Sequence, residues 1–588
     1  MAERLADIID RVRGILATGR FLAAYDEAIS GLALYPADPE LSYNAVLAIA
    51  RAGATERAME LYRGLNLQEL PVEDPKLKLD IGALWARLHK DLGLRARGKE
   101  ARDHFQASAD AYLQVFEQTG DAYPAINAAA LYCWIGETEQ AEDLASRCVA
   151  DCESKTDYYS LATLAEACLI LRQPDRTTET LTRAAGLGAG RAEMATTRRQ
   201  LKKTCQVLGL DEDLLSPLTR GPIVRYLGHM PWPDLDESGE GILKQRIGEF
   251  IAENRVETAY GALAAGVDIL AAEVMIAMGV ELHVVLPFEI EAFLAVSVLP
   301  FGGTWRARFD ACLAAARSVS YSASGGQPAD GASFRYCSAY TRGVAALQAQ
   351  ATDAELHQLA VWNGTPVRKP GGTLDDILIW HGQSRPQTVL TTSGELVRPE
   401  ALPDVSPVSG DGDREIRAVL FADFAGFSKL KEAEIGPFLS RSLAVVAEVA
   451  AQYETSILCR NTWGDGIFLV LDKVETAARL ARDILEALSG PAEVEAGRLP
   501  IRIGLHVAPM SRIADPLTGR TTYVGAEISK ASRIEPIVPV NSIYATEACA
   551  GALALSGERT VQSEYMGMVD LAKSAGMIPI FRLRALGS

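Results

Sequence analysis

Three rhythms of apolar and polar positions follow one another along the chain. Over residues 1–217 apolar positions recur at helical spacing in segments rich in Ala and Leu, which predicts helix after helix. Helix-turn-helix joints recur: residues 47–53 lead into 56–62, and 131–136 into 139–144, with comparable turns at Gly19, Gly93 and Gln173-Pro174. They fall roughly 34 to 43 residues apart, about the length of a helical pair, which suits a solenoid whose pairs bury their faces on one another. An irregular helical bundle is the alternative. Neither carries a catalytic constellation, so a scaffold role with a protein partner on the helical repeats is expected.

From 220 to 395 short β-type runs alternate with helical ones. Ile223-Val224-Arg225-Tyr226-Leu227 precedes a helix near 242–254, and a strand ending near Tyr260 precedes another near 269–278. Strands alternating with helices imply a parallel sheet of Rossmann type. Glycines punctuate the junctions: Gly228, then Gly261 and Gly266 ahead of Asp268, and later Gly371 and Gly372 in Pro370-Gly371-Gly372-Thr373. Such glycines let a phosphate reach backbone N–H groups at a helix start, although they also serve plain tight turns. Residues 396–414 hold three prolines, two glycines and no periodicity, and read as a linker. The pattern restarts at 415. Strand, helix, a hairpin turning at Trp463-Gly464-Asp465-Gly466, helix and strand give the β-α-β-β-α-β order of an α+β, ferredoxin-like domain over 415–588.

Composition narrows the function classes. At roughly 150 residues per domain, 588 residues predict three to five domains. Acidic residues (76) exceed basic ones (58) for a net charge of −18, which opposes coating nucleic acid or anionic lipid but permits a small polyanion in one pocket. The nine cysteines are scattered and odd in number, and only Cys148 and Cys152 are close, so reduced thiols are expected. The N-terminus lacks the apolar core of a signal peptide, and the most apolar stretch, 261–286, is interrupted by Asp268, Glu273, Glu281 and His283. A cytoplasmic protein with no membrane span is expected.

Two aspartates occupy special positions: Asp423 at a strand end and Asp465 in a tight hairpin turn. A lone turn aspartate is usually turn chemistry, but two brought together on adjacent strands can hold a pair of Mg²⁺ ions. The runs 421–428, 461–466 and 525–533 resemble the metal and nucleotide motifs of class III nucleotidyl (adenylate/guanylate) cyclases. That resemblance implies two Mg²⁺ or Mn²⁺ ions held by Asp423, Asp465 and the Phe424 carbonyl. Arg533 would stabilise charge on the α-phosphate, and Lys573 would bind phosphate. Asn461, Thr522 and Ser529 would contact base and ribose. It further implies an NTP substrate, most readily ATP, cyclised to a 3′,5′-cyclic nucleotide and pyrophosphate at a homodimer interface. Asn461 stands where adenine readers carry Lys, and Ser529 where Asn orients the ribose, which leaves open another base or a catalytically degenerate nucleotide-binding regulator.

The preceding region, through Gly228-His229-Met230 and 261–268 to 284–288, looks like the SLOG group of Rossmann-like domains. This implies a nucleotide-derived ligand near Gly228, Gly261, Gly266, Asp268, Gly371 and Gly372. The related LOG pattern Pro-Gly-Gly-x-Gly-Thr is broken after Gly372, so a sensor is expected before a hydrolase. The helical region resembles degenerate tetratricopeptide repeats.

Overall fold

The computed structural model describes residues 4–17, 21–51, 55–188, 191–232, 235–323, 328–406, 414–489, 498–570 and 577–585. Helices fill the first region from Leu5–Ala17 to Arg191–Leu208. The most apolar of them, Ala122–Ile135, is buried on nearly every side. Its ends are fixed locally: the Asp121 carboxylate accepts the Tyr123 N–H at 3.2 Å, and Gly136 stops the helix in the left-handed conformation (φ 84°). Gly93 is not at a turn. It sits inside the helix Pro75–Arg95, where a Cβ would come within 2.6 Å of the Phe105 ring, and it lets the helix Gly98–Thr119 approach closely. The turns expected at Gly19 and near Gly53 lie outside the described residues.

The second region is a six-stranded sheet: β1 (Ile223–Gly228), β2 (Thr258–Gly261), β3 (Glu281–Leu286), β4 (Ser318–Tyr321), β5 (Leu356–Trp362) and β6 (Gln387–Thr391). Every pairing is parallel, in the order β4-β3-β2-β1-β5-β6. The direction of winding reverses between β1 and β5, which opens a crevice at the carboxyl ends of those two strands. The expected linker is packed over 396–406. The Val397 N–H donates to the Val389 carbonyl at 2.8 Å, and Val397, Leu402 and Val405 cover Leu227, Trp362 and Leu374. Apolar residues between the prolines give this stretch a core face, so it is held rather than free; residues 407–413 lie outside the described residues.

The third region is built on β7 (Arg414–Phe424), β8 (Ile457–Trp463), β9 (Gly466–Leu471), β10 (Ile501–Ala514), β11 (Thr521–Val524), β12 (Ser542–Thr546), β13 (Val561–Asp570) and β14 (Met577–Ala585). The sheet runs β13-β14-β12-β10-β7-β9-β8, with β11 on the far end of β10. β10 pairs antiparallel with β7 along its length and parallel with β12 over Arg502–Leu505. The helix expected over 525–535 is shorter, Ser529–Ile534, with a tight 3₁₀ turn on either side.

The regions pack on one another. The helical region shares an apolar cluster with the third, in which Ile49, Met59 and Leu84 meet Ile534, Val538, Tyr544 and Ile580. Glu56 adds ion pairs to Arg582 and Arg584. Between the second and third regions the helices Gly331–Thr352 and Glu547–Ser556 cross at Gly343 and Gly551, where a Cβ on Gly551 would lie 2.7 Å from the Gly343 Cα. No helix among the described residues is long and apolar enough to cross a membrane.

Gly551→Val has no room at that crossing without separating the helices. It is expected to cost about 1–3 kcal/mol, the range for overpacking, read as a lower thermal unfolding midpoint. An unchanged midpoint would contradict the close crossing.

Candidate functional site

The first site forms where β7 ends. The antiparallel register with β10 sets Asp423 opposite Arg502 and Phe424 opposite Ile501. The hairpin β8–β9 turns between the paired residues Trp463 and Gly466, and Gly464 supplies the left-handed conformation (φ 66°) that leaves Asp465 at the tip. The Asp465 carboxyl lies close enough to Asp423 for the two to influence each other. Partial burial, together with that carboxyl neighbour, pushes Asp423 up to about 6, with Arg502 pulling the other way. Phe424 closes the strand with its ring buried against Phe438 at 5.0 Å.

Two neighbours of this pair went unnoticed in the sequence: Arg502 and Glu535. Glu535 is pushed up to about 7 by burial and then by Asp423, and its Oε1 is buried with no hydrogen-bond partner. Gly504 makes its position possible. A Cβ there would lie 2.8 Å from the Ala531 carbonyl oxygen and 3.3 Å from the Glu535 nitrogen, so glycine lets the Ser529–Ile534 helix and the following turn sit directly on β10. The signal was available in part, because an alternating strand with Arg502 beside Gly504 implies a cation and a close approach on one sheet. Among the described residues no group of three or more His, Cys, Asp and Glu side chains is placed to hold a metal ion.

The remaining expected residues are distributed as follows. Arg533 is half-buried on the Ser529–Ile534 helix and makes no hydrogen bond or ion pair among the described residues. Ser529 turns its hydroxyl onto the Ala526 carbonyl at 3.1 Å. Asn461 is exposed on the edge strand β8, its amide oxygen accepting the Thr462 N–H at 2.9 Å. Thr522 lies on β11 next to Thr521, whose carbonyl accepts from the Cys459 thiol, two residues from Asn461, at 3.7 Å. Lys573 lies outside the described residues.

The second site is a cavity of about 680 Å³ in the crevice at the ends of β1 and β5. Gly228, Gly261, Asp268, Gly371 and Gly372 line it; Gly266 does not. Gly266 instead begins the helix Val267–Ala277 at φ 94°, with a Cβ position only 2.6 Å from the His229 carbonyl, so it serves chain packing. The glycine amides are also partly committed. The Gly228 N–H donates to the Asp268 carboxyl at 3.1 Å, and the Gly371 N–H to Asp375 at 3.1 Å. Side chains therefore supply the polar character. Arg225, in the middle of a buried apolar strand, donates to Gln358 (2.7 Å), Ser338 (2.7 Å) and Asp376 (2.5 Å). Arg342 donates to the other Asp376 oxygen at 2.6 Å. Burial alone would raise Asp376, but Arg225 and Arg342 outweigh it and hold it below the usual carboxylate range. At Asp268 burial outweighs the Ala264 and Gly228 N–H donors and the more distant Arg225, and pushes it up to about 7. Lys369 also lines the cavity, as does His229, which burial holds below the usual imidazole range. A cation in the middle of an apolar strand was the sequence signal for this network.

An acid raised in the folded chain keeps a proton that the unfolded chain releases near pH 4, so Asp268 lowers stability progressively as pH climbs toward 7. The thermal midpoint of Asp268→Asn minus that of the parent should therefore rise between pH 5 and pH 8. An equal difference at both pH values would contradict the buried, protonated carboxyl.

Comparison with known proteins gives three findings. A family model described as Tetratricopeptide Repeats-Sensor matches residues 22–132. An adenylate cyclase of Streptomyces griseus is 28% identical over 150 residues, covering 25% of this chain and 34% of that protein. The chain thus spans about a third of the length of that curated relative. Solved structures that resemble part of the chain include the guanylate cyclase domain of RhGC from Catenaria anguillulae in complex with GTP. It is 20% identical, covers 30% of this chain and 99% of that one, and has a TM-score of 0.26. The adenylyl cyclase CyaB from P. aeruginosa is 18% identical, covering 29% and 94%, with a TM-score of 0.25.

Proposed function

We propose that the chain is a signalling nucleotidyl cyclase: its third region, read as a ferredoxin-like cyclase domain, converts an NTP, most readily ATP, to a 3′,5′-cyclic nucleotide and pyrophosphate. The observation that carries this reading is the placement of Asp423, at the end of β7, beside Asp465, in the β8–β9 turn, where the second carboxyl helps to raise the first to about 6. Such a pair resists sharing negative charge until a cation arrives, so its chemistry fits divalent metal. The similarity to an adenylate cyclase from Streptomyces griseus points the same way.

Asp423, Asp465 and the Phe424 carbonyl would hold two Mg²⁺ or Mn²⁺ ions, the remaining ligands coming from phosphate oxygens and water. When bound, these ions supply neutralisation of the triphosphate and acidification of the ribose 3′-hydroxyl. Arg533, unpaired among the described residues, is free to bind the charge that builds on the α-phosphate, and Lys573 would add a phosphate contact. Arg502 steadies the Asp423 carboxylate from the neighbouring strand. Asn461 and Thr522 would read the base. The arrangement calls for a homodimer in which Arg533 of one chain completes the carboxylate site of the other. The cavity of the second region, read as a SLOG-like sensor, would take a nucleotide-derived anion. Its size lies within the usual range for small-ligand pockets, and Arg225 and Lys369 supply positive charge. The helical region would dock a protein partner, and the whole would act in the cytoplasm.

A second reading, a degenerate nucleotide-binding regulator, is favoured by two contacts. The Ser529 hydroxyl is spent on its own backbone, and Asn461 is folded onto the next N–H.

Incubating the full chain with Mg²⁺ or Mn²⁺ and each of the four NTPs separates the two. Cyclic product from at least one NTP is expected, and Asp465→Asn should lower turnover by about 10²-fold or more, the scale of losing a group that acts at the transition state. No cyclic product from any NTP in a dimeric preparation would leave the regulator reading standing. Full turnover by Asp465→Asn would overturn the metal assignment.

A further inference from the structure

The helix Gly331–Thr352 is one wall of the cavity and, on its opposite face, part of the packing of the third region. Phe334, Cys337, Ser338 and Thr341, spaced three, four and seven apart, line the cavity. Ser338 and Arg342 hold this face to the Asp376–Arg225 network. About half a turn round the helix, the other face carries Tyr336, Tyr340 and Gly343. Tyr336 is 2% exposed, sits in the apolar core of the third region, and donates its hydroxyl to the Val507 carbonyl of β10 at 2.8 Å. Tyr340 bonds the Glu547 carboxylate, and Gly343 forms the glycine crossing with Gly551.

The helix start is tied to the same sheet. Its N-cap residue Asp330 accepts two hydrogen bonds from Arg414 (2.7 and 3.0 Å), and Arg414 also donates to the Ser333 hydroxyl at 2.6 Å. Arg414 is the first residue of β7, the strand that ends at Asp423 and Phe424. Val507 lies on β10 opposite Ala418 of β7. One rigid element therefore touches the cavity directly and grips both central strands of the metal-site sheet. Close-packed interfaces of this kind pass on a displacement rather than absorb it.

We infer that occupancy of the cavity is coupled to the third region through the helix Gly331–Thr352, with the Tyr336–Val507 hydrogen bond as the principal joint. This rests on the reading of the cavity as a ligand site. Tyr336 is a positioning residue: it touches neither ligand nor substrate. The coupling is reciprocal, so whatever ligand in the cavity does to the β7–β10 pair, occupancy of the metal site does to the cavity by the same factor.

The test is hydrogen exchange of the full chain read by mass spectrometry, with ADP as the probe and EDTA present so that no divalent ion assists binding at the carboxylates. Protection of the peptides containing Gly228–Pro231 and Lys369–Thr373 reports whether ADP enters the cavity. A change in exchange of the peptide containing Val507 reports coupling, and about fivefold or more is expected, the lower end of measured couplings between sites. Tyr336→Phe should keep cavity protection and lose most of the response at Val507. Cavity protection with no response at Val507, or a full response retained in Tyr336→Phe, overturns the coupling.

Phe334→Ala separates the coupling from the ligand reading, because it alters the cavity face of the helix without any ligand. It is expected to change exchange at Val507 in the parent background and not in Tyr336→Phe. If Phe334→Ala leaves Val507 unchanged, the coupling is wrong whether or not ADP binds. If ADP leaves the cavity unprotected while Phe334→Ala moves Val507, the ADP reading fails and the coupling stands.

Discussion

Much of the third region depends on one pairing, the antiparallel register of β7 with β10 from Phe424–Ile501 to Arg414–Ser511. It sets Arg502 beside Asp423, places Gly504 under the Ser529–Ile534 helix, and presents Val507 to Tyr336. Side chains alternate faces along a strand, so a slip of one residue would turn all of these contacts to the wrong side together. The buried residues of both strands, Val419, Leu420, Ile503 and Leu505 among them, enforce the register, because any slip would also expose this core. Apolar burial fixes the pairing; the pairing then fixes the polar chemistry.

The two candidate sites handle buried charge in opposite ways. In the cavity Asp376 is matched by Arg225, Arg342 and Ser338, an arrangement that fixes the floor and leaves Asp268 as the acid able to titrate near neutrality. At the end of β7 the acids outnumber the local cation: Arg502 pulls on Asp423 and Glu535, and Asp465 lies beside them. A matched network holds shape, whereas an unmatched cluster of acids stores repulsion that a cation relieves. The matched network holds the cavity floor in place; the unmatched acids are where the proposed cyclase chemistry would sit.

The element types were largely readable in the sequence, since helical spacing survives in the helices of the first region and short continuous apolar runs mark β1 and the middle of β7. What could not be read was the effect of close approach. Gly93 looked like a turn and is a contact with Phe105; Gly266 looked like a phosphate loop but lies off the cavity and lets backbone lie against backbone, whereas Gly371 lines the cavity and also packs against the Phe334–Arg335 backbone. The same glycine signature serves both purposes, and only the neighbour's position tells them apart. Residues 396–406 read as a linker because proline and polar residues dominate the local pattern, while Val397 and Leu402 found a core elsewhere. Arg502 and Glu535 were missed because their meaning lies in partners 79 and more positions away in the chain, set by the register with Asp423 rather than by any local motif.

The central claim is that Asp465 and Arg533 act together in a catalytic site shared between two chains. Mixing purified Asp465→Asn with Arg533→Ala and assaying cyclic nucleotide formation tests it most directly, because a mixed dimer rebuilds one intact site from the undamaged halves. The account predicts that each variant alone is nearly inactive and that the mixture regains a substantial fraction of the parent turnover. A mixture no more active than its components, with mixed dimers demonstrably present, would contradict it.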